Sequence, residues 1–350
     1  MDKKIRVAVV TSDVPFVEGG HLTIAQSTVK ALNQNGYEAD LVLSPQNRFG
    51  RQLRAYLATR FLDVEEDGLG RKIHQVISFR YPSFAVKHPN HTCWLNHRMR
   101  EYYDLWDLFS SQLSVKSKFK QKFKKAIINS LDTSLLKHNV TKLFAQSKTI
   151  QKRLKNSGNI PSEVLYPPPP QKKYRTDSYQ NYIFSVSRLQ KLKRLDLLVE
   201  AFRYIKNQDL KAIIIGEGPE KSNLIQSIRS YGLEKKVILL ESSDEESVLS
   251  HYAQCRAVFF CPFQEDYGLV TGEAFASRKA VITTKDSGGP SEIVKNNETG
   301  FITDPDPENI AAKLDEFAED KNMAEKMGKN AFDFISQLTW KETIKKLITL

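Results

Sequence analysis

Short apolar runs alternate with amphipathic segments along almost the whole chain, and this alternation limits the fold more than any other feature. Ile5 to Val10 reads as a buried strand, followed by the loop VPFVEGG. Leu22, Ala25, Val29 and Leu32 then recur at helical spacing up to Asn35-Gly36, a helix stop. Ala39 to Leu43 is strand-like again. Strand, helix and strand in that order make a parallel unit with a right-handed crossover. Val76 to Phe79, Cys93 to Leu95 and Lys142 to Ala145 read as further strands, with a long basic helical region from about 101 to 138 between the last two.

Pro167-Pro168-Pro169-Pro170 interrupts the pattern. Four prolines continue neither a helix nor a central strand, and they stiffen the chain. The alternation then restarts. Tyr182 to Val186, Ala212 to Ile215, Val237 to Leu240, Ala257 to Cys261 and Ala280 to Thr283 are strand candidates. Between them lie apolar faces made by Leu197, Leu198, Ala201, Phe202 and Ile205, by Leu224, Ile225 and Ile228, and by Val248, Leu249 and Tyr252. At 350 residues the chain exceeds what one hydrophobic core usually serves. The pattern therefore predicts two doubly wound α/β domains, 1–170 and 171–335, with ligands bound in the cleft at the carboxyl ends of their strands.

Composition narrows the partners. The chain carries 52 Lys and Arg against 41 Asp and Glu, a formal charge of +11, which favours an anionic partner. The lysines are clustered and no recognition-helix, RNA-sheet or zinc pattern accompanies them, so nucleic acid is not expected. Cys93, Cys255 and Cys261 form no CxxC pair, and their odd number argues against a disulfide framework. The opening MDKKIRVAVVTSD is too short for a signal-peptide core, and no run approaches the roughly 20 apolar residues of a membrane span. A cytoplasmic protein is expected. A nicotinamide-dependent oxidoreductase would show G-x-G-x-x-G after the first strand, which VPFVEGGHLT lacks. His88 and His91 are not at a known zinc spacing, so no metal site is assigned.

The densest chemistry lies in Glu265-Asp-Tyr-Gly-Leu-Val-Thr-Gly-Glu273, between the strand AVFFCPF and the helix EAFAS. Gly268 and Gly272 permit close backbone approach by a ligand, and the N–H groups of the helix start can hold a phosphate oxygen. Ser187-Arg188-Leu189 ends another strand, and Lys193 follows, leading into Arg194-Leu195-Asp196-Leu197-Leu198. Cations at a helix start are mildly unfavourable, so Arg188 and Lys193 call for a function. Gly216-Glu217-Gly218-Pro219-Glu220 and Gly288-Gly289-Pro290-Ser291-Glu292-Ile293-Val294 are two further turns, and Gly300-Phe301-Ile302 follows the second.

These motifs resemble the family 4 glycosyltransferases of the GT-B fold. The family hallmark is two Glu separated by seven residues with Tyr-Gly-Leu or Phe-Gly-Leu inside, matched here by Tyr267-Gly268-Leu269. Its Gly-Arg-Leu, Lys-Gly-x-Asp-Leu-Leu, Gly-x-Gly-Pro-Glu and Gly-Gly-x-x-Glu-Ile-Val runs have counterparts in the motifs quoted. The likeness is strong from Ser185 to Ile302 and loose before that. Ser187 stands where the family has Gly, and Ser277-Arg278-Lys279-Ala280 where it has small-Gly-x-Pro. In LLESSDEES a further glycine is replaced.

The resemblance implies a GT-B architecture, with residues 336–350 packing back toward the first domain. It implies a retaining transfer of sugar from a UDP- or GDP-sugar to a lipid-linked or polysaccharide acceptor, with no resident cofactor or metal. Arg188 and Lys193 would offset the charge of the leaving diphosphate, work that Mg²⁺ does in other transferases. Glu265 would accept from sugar hydroxyls and Glu273 from the ribose. Gly216 and Gly218 would border the base. Tyr267, Gly268 and Leu269 would line the donor, and Gly19 and Gly20 would offer N–H groups to its diphosphate. His97, in Trp94-Leu95-Asn96-His97-Arg98, is the candidate first-domain histidine near the sugar. Lys116 to Lys125 holds six lysines, with Phe119 and Phe123 one helical turn apart. It is expected to lie on anionic headgroups at the inner face of the plasma membrane, the plain alternative being a solvated helix with both rings packed inward. A non-catalytic sugar-nucleotide-binding subunit is the competing reading, and intact Glu265, Glu273, Arg188 and Lys193 argue against it.

Overall fold

The computed structural model describes residues 4–13, 19–45, 50–241 and 244–350. Most of the first loop (14–18) and two residues of LLESSDEES (242–243) lie outside them. The chain divides into two units: Met1–Pro170 with Thr339–Leu350, and Gln171–Leu338.

The first unit holds six parallel strands: β1 (Arg6–Asp13), β2 (Glu38–Pro45), β3 (Gln75–Ser78), β4 (His91–Leu95), β5 (Lys142–Ala145) and β6 (Glu163–Val164). Their order is β2-β1-β3-β4-β5-β6. β3 and β4 are buried along their whole length, as expected of parallel strands covered on both faces. Helices Gln52–Arg60 and Lys148–Asn156 and the strand β6 join the elements read from the sequence. Thr339–Leu350 closes this unit. Trp340 donates its indole N–H to Pro169 O at 2.9 Å and stacks edge-on to Trp94, while the Gln75 amide donates to Leu347 O at 2.7 Å.

The basic region consists of a short helix Trp106–Ser111 and a long one, Val115–His138, N-capped by Ser114. The latter buries only Ile128, Asp132 and Leu136. Phe119 and Phe123 are 80% and 68% exposed, so they do not pack inward. Among the described residues no helix is long and apolar enough to cross a membrane.

The second unit holds β7 (Tyr182–Val186), β8 (Lys211–Ile215), β9 (Val237–Leu240), β10 (Ala257–Phe259), β11 (Val281–Thr284) and β12 (Gly300–Thr303). The order is β12-β11-β10-β7-β8-β9, all parallel. Counted within the unit this is the 3-2-1-4-5-6 order of a dinucleotide-binding sheet, read from the β9 edge. The direction of winding reverses between β7 and β10. In a doubly wound sheet the ligand crevice lies at such a reversal, outside the carboxyl ends of the strands. One apolar cluster, including Ile183, Leu198, Ile214, Phe259, Ile282 and Leu314, holds this unit together.

Lys279, at the family's small-Gly-x-Pro position, is fully buried and lies 3.5 Å from the centre of the Tyr179 ring. Burial pulls its ammonium down to about 8. Arg278 before it takes the left-handed conformation usual for glycine, with φ 54°.

Candidate functional site

The reversal between β7 and β10 locates the site. Lys193 lies on the segment leaving β7, and Glu265 on the segment leaving β10. Lys193 Nζ and Glu265 Oε2 are 2.7 Å apart, with side chains 15% and 21% exposed. Both groups are thus partly withdrawn from water and still reachable. The Glu265 backbone is clamped by the turn after β11. Its N–H donates to Ser287 O at 2.8 Å, and its carbonyl accepts from the Gly289 N–H at 3.0 Å. A Cβ on Gly288 would sit 2.4 Å from Glu265 O, and φ there is +76°. The Gly-Gly run therefore serves the placement of Glu265.

Arg188 is exposed, and its side chain has no hydrogen-bond or ion-pair partner among the described residues. It is a cation available to an incoming anion. Gly216 and Gly218 meet a more local need. A Cβ on Gly216 would lie 1.9 Å from Ser187 O, and one on Gly218 2.3 Å from Leu189 O. Leu189 N–H donates to Glu217 O at 2.8 Å, so the loops after β7 and β8 are zipped backbone to backbone. The two glycines thus hold the Arg188 loop at the sheet edge.

Tyr267 is buried, and Gly268 starts the helix Leu269–Ala276 with φ 81°. A Cβ at Gly268 would meet the Phe260 ring at 2.6 Å. Gly268 brings no capping side chain; its carbonyl accepts from the Thr271 N–H at 3.1 Å, which leaves the Leu269 and Val270 N–H groups for another acceptor. Within that helix Glu273 is 9% exposed. Its carboxylate accepts from Tyr252 at 3.2 Å and Tyr174 at 3.4 Å and pairs with Lys172 at 3.1 Å. Burial would pull the Lys172 ammonium down, yet the Glu273 and Glu245 carboxylates hold it above its ordinary value. Burial, then the Glu273 charge, raise Tyr174 and Tyr252, so both phenols stay donors. A carboxylate has about four lone-pair sites, so three protein donors leave about one for an incoming hydroxyl.

Sequence reasoning missed Lys172, Tyr174 and the donor role of Tyr252. The first two lie in the polar restart QKKY after the prolines, which has no periodicity, and Tyr252 had been counted only as part of an apolar face.

The remaining candidates lie in the first unit. Gly19 precedes the helix Gly20–Gln34 after β1 and likewise brings no capping side chain to that helix start. His97 follows β4. Burial and the nearby Arg80, Arg100 and Arg153 charges push its imidazole down to about 3, so it is neutral at pH 7. Its Nδ1–H donates to Arg98 O at 2.8 Å, leaving Nε2 as the ring's acceptor. His88 and His91 spend their ring nitrogens on Asn90 O, Ile73 O, Ser78 Oγ and Asn139 O.

This geometry defines a doubly wound α/β protein with a paired cation and carboxylate at the reversal of its second sheet. The sequence profile of the family described as glycosyl transferases group 1 matches residues 170–334. That match spans almost the whole of the second unit. One relative is the N-acetylgalactosamine-N,N'-diacetylbacillosaminyl-diphospho-undecaprenol 4-alpha-N-acetylgalactosaminyltransferase of Campylobacter jejuni, 34% identical over 128 residues. The match covers 37% of this chain and 34% of that one, and the chain spans less than half the length of the curated relatives it matches first. Among solved structures, sucrose-phosphate synthase from Thermosynechococcus elongatus superposes over 98% of this chain and 97% of its own, with TM-score 0.77 and 15% identity. HepE from Anabaena, in complex with UDP and glucose, superposes over 97% of each chain with TM-score 0.68 and 16% identity. The fold is GT-B.

Proposed function

We propose that the chain is a retaining glycosyltransferase that moves a sugar from a UDP- or GDP-sugar to a lipid-linked or glycan acceptor. The observation that carries this reading is the Lys193–Glu265 pair, 2.7 Å apart at the reversal of the second sheet. It offers a cation to a diphosphate beside a carboxylate for sugar hydroxyls. Arg188 adds a second, unengaged cation, and together they do the leaving-group work of a divalent metal. Glu273, steadied by Lys172 and two tyrosines, accepts from a ribose hydroxyl. His97 accepts from a substrate hydroxyl through Nε2. In the transfer the anomeric C–O bond breaks and its electron pair passes to the diphosphate. The acceptor hydroxyl oxygen bonds to the anomeric carbon from the same face, and its proton goes to the leaving oxygen. The names of the Campylobacter relative and of the UDP-bound HepE structure support a nucleotide donor and a diphosphate-linked acceptor.

A thermal-shift screen against UDP- and GDP-sugars tests the donor. One sugar nucleotide is expected to stabilise the protein beyond its free nucleotide. Glu273→Gln should then weaken nucleotide binding about tenfold, because a charged acceptor is lost to the ribose. Unchanged affinity removes Glu273 from that role, and tight binding without turnover favours the non-catalytic subunit.

The long basic helix supports peripheral attachment. Val115, Phe119, Phe123 and Ile127 recur every four residues and are 88%, 80%, 68% and 43% exposed, flanked by the six lysines. An apolar stripe bordered by cations fits the interface of an anionic bilayer. Co-sedimentation with phosphatidylglycerol vesicles is expected at low salt and should fall in high salt and in Phe119→Ser/Phe123→Ser. No sedimentation at low salt refutes the attachment.

A further inference from the structure

Arg194, beside Lys193, takes a left-handed conformation, φ 49° and ψ 44°, which a side chain other than glycine adopts under strain. Its guanidinium shows what that conformation achieves. Nε donates to Cys261 O at 2.9 Å and Nη1 to Asp286 Oδ2 at 2.8 Å. Nη2 reaches Pro262 O, Thr284 Oγ1 and Asp286 Oδ1 at 2.7–2.9 Å. One side chain thus joins the segment after β7 to the carboxyl ends of β10 and β11. Thr284 also donates to Asp286 Oδ1 at 2.8 Å, so the receiving carboxylate is itself held. The backbone continues the same seam: Phe263 N–H donates to Leu192 O at 2.8 Å and Gln264 N–H to Asp286 O at 2.9 Å. Lys193 and Glu265 face each other across this seam.

We infer that Arg194 is a positioning residue, a latch across three loops that sets the distance between Lys193 and Glu265. The role rests on the reading of that pair as the diphosphate and sugar contacts of a transferase. A planar fork donating to a carboxylate and two carbonyls fixes direction as well as distance, which a flexible ammonium does not. An offset of about 1 Å at a reacting centre lowers the rate on the order of a hundredfold, so a latch beside the site governs turnover without touching substrate.

Arg194→Gly removes the fork and relieves the left-handed strain, and Asp286→Asn keeps the shape but weakens the receiving group. Two readouts are taken on both variants and on the wild-type protein. Amide hydrogen exchange at 263–265 and 287–289 is expected to accelerate at least about tenfold in Arg194→Gly, and less in Asp286→Asn, with the β7 and β8 amides unchanged. Turnover of the UDP- or GDP-sugar selected by thermal shift is expected to fall about ten- to a hundredfold in kcat, with KM for that sugar nucleotide within about threefold. Wild-type exchange at those amides in both variants, or faster exchange with unchanged kcat, overturns the proposal. If the wild-type protein turns over no sugar nucleotide, the transferase reading falls instead, and the exchange data still decide whether the latch exists.

Discussion

Lys193→Ala lowers kcat for sugar transfer by roughly 10²- to 10³-fold, the loss seen when one fixed donor to a developing anion is removed. Two effects add. The leaving diphosphate loses a cation placed where its charge grows. Glu265 also loses the partner 2.7 Å from its Oε2, so the carboxylate proposed to accept from sugar hydroxyls loses that ion pair. Because Lys193 belongs to a short 3₁₀ segment with no buried residue, the alanine variant should keep its core and its melting temperature. Lys193→Arg keeps the charge but changes the reach, and should recover part of the rate. Single-turnover kinetics at saturating donor separates this loss from weaker binding. Wild-type turnover in Lys193→Ala removes the residue from leaving-group chemistry and, with it, the argument that protein cations do the work of a metal.

The second sheet was largely legible because its strands read as apolar runs, those of β10 and β11 buried along their whole length. The expected strands from Tyr182 to Thr283 fall within a residue or two of β7 to β11. Helix Lys148–Asn156 was not legible, since it buries only Ile150 and Leu154. β6 has two residues, too few to show a period. At the site, the residues carrying an apolar or glycine pattern could be found: Gly268, Gly288 and the Glu265–Glu273 frame. Their partners could not. Lys172 meets Glu273 across about a hundred positions and Arg194 meets Asp286 across about ninety, and no local pattern encodes either contact. Gly216 and Gly218 were noticed for the ligand, but the near backbone atoms of Ser187 and Leu189 are what require glycine there. Motif spacing thus singled out the loops after β7, β8, β10 and β11, while tertiary pairing set how they are held.

Asp132→Ala should be among the most destabilising single changes in the first unit, by about 3–5 kcal/mol, the range for breaking a buried charged group away from its partners. Asp132 is fully buried on the long basic helix. Tyr56 and Tyr103 donate their hydroxyls to its two oxygens, the latter at 2.7 Å, and the Arg98 guanidinium lies 3.6 Å from the centre of the Tyr103 ring. Burial pushes the Asp132 carboxyl up, opposed by the Arg98 charge and the two hydroxyls. Alanine would strand the buried Tyr56 hydroxyl and the half-buried Tyr103 hydroxyl and remove the carboxylate charge near Arg98. For a unit of this size the loss corresponds to a melting temperature lower by about 6–20 °C, measurable by calorimetry. Asp132→Asn, which retains one carbonyl acceptor, should lose less. The effect should also reach His97, because Arg98 O fixes its tautomer through Nδ1. Loosening Arg98 frees the ring to turn and takes Nε2 from its acceptor position. A drop of less than about 1 kcal/mol in Asp132→Ala would show that water enters and solvates Arg98, and that this buried network is not what orders the loop after β4.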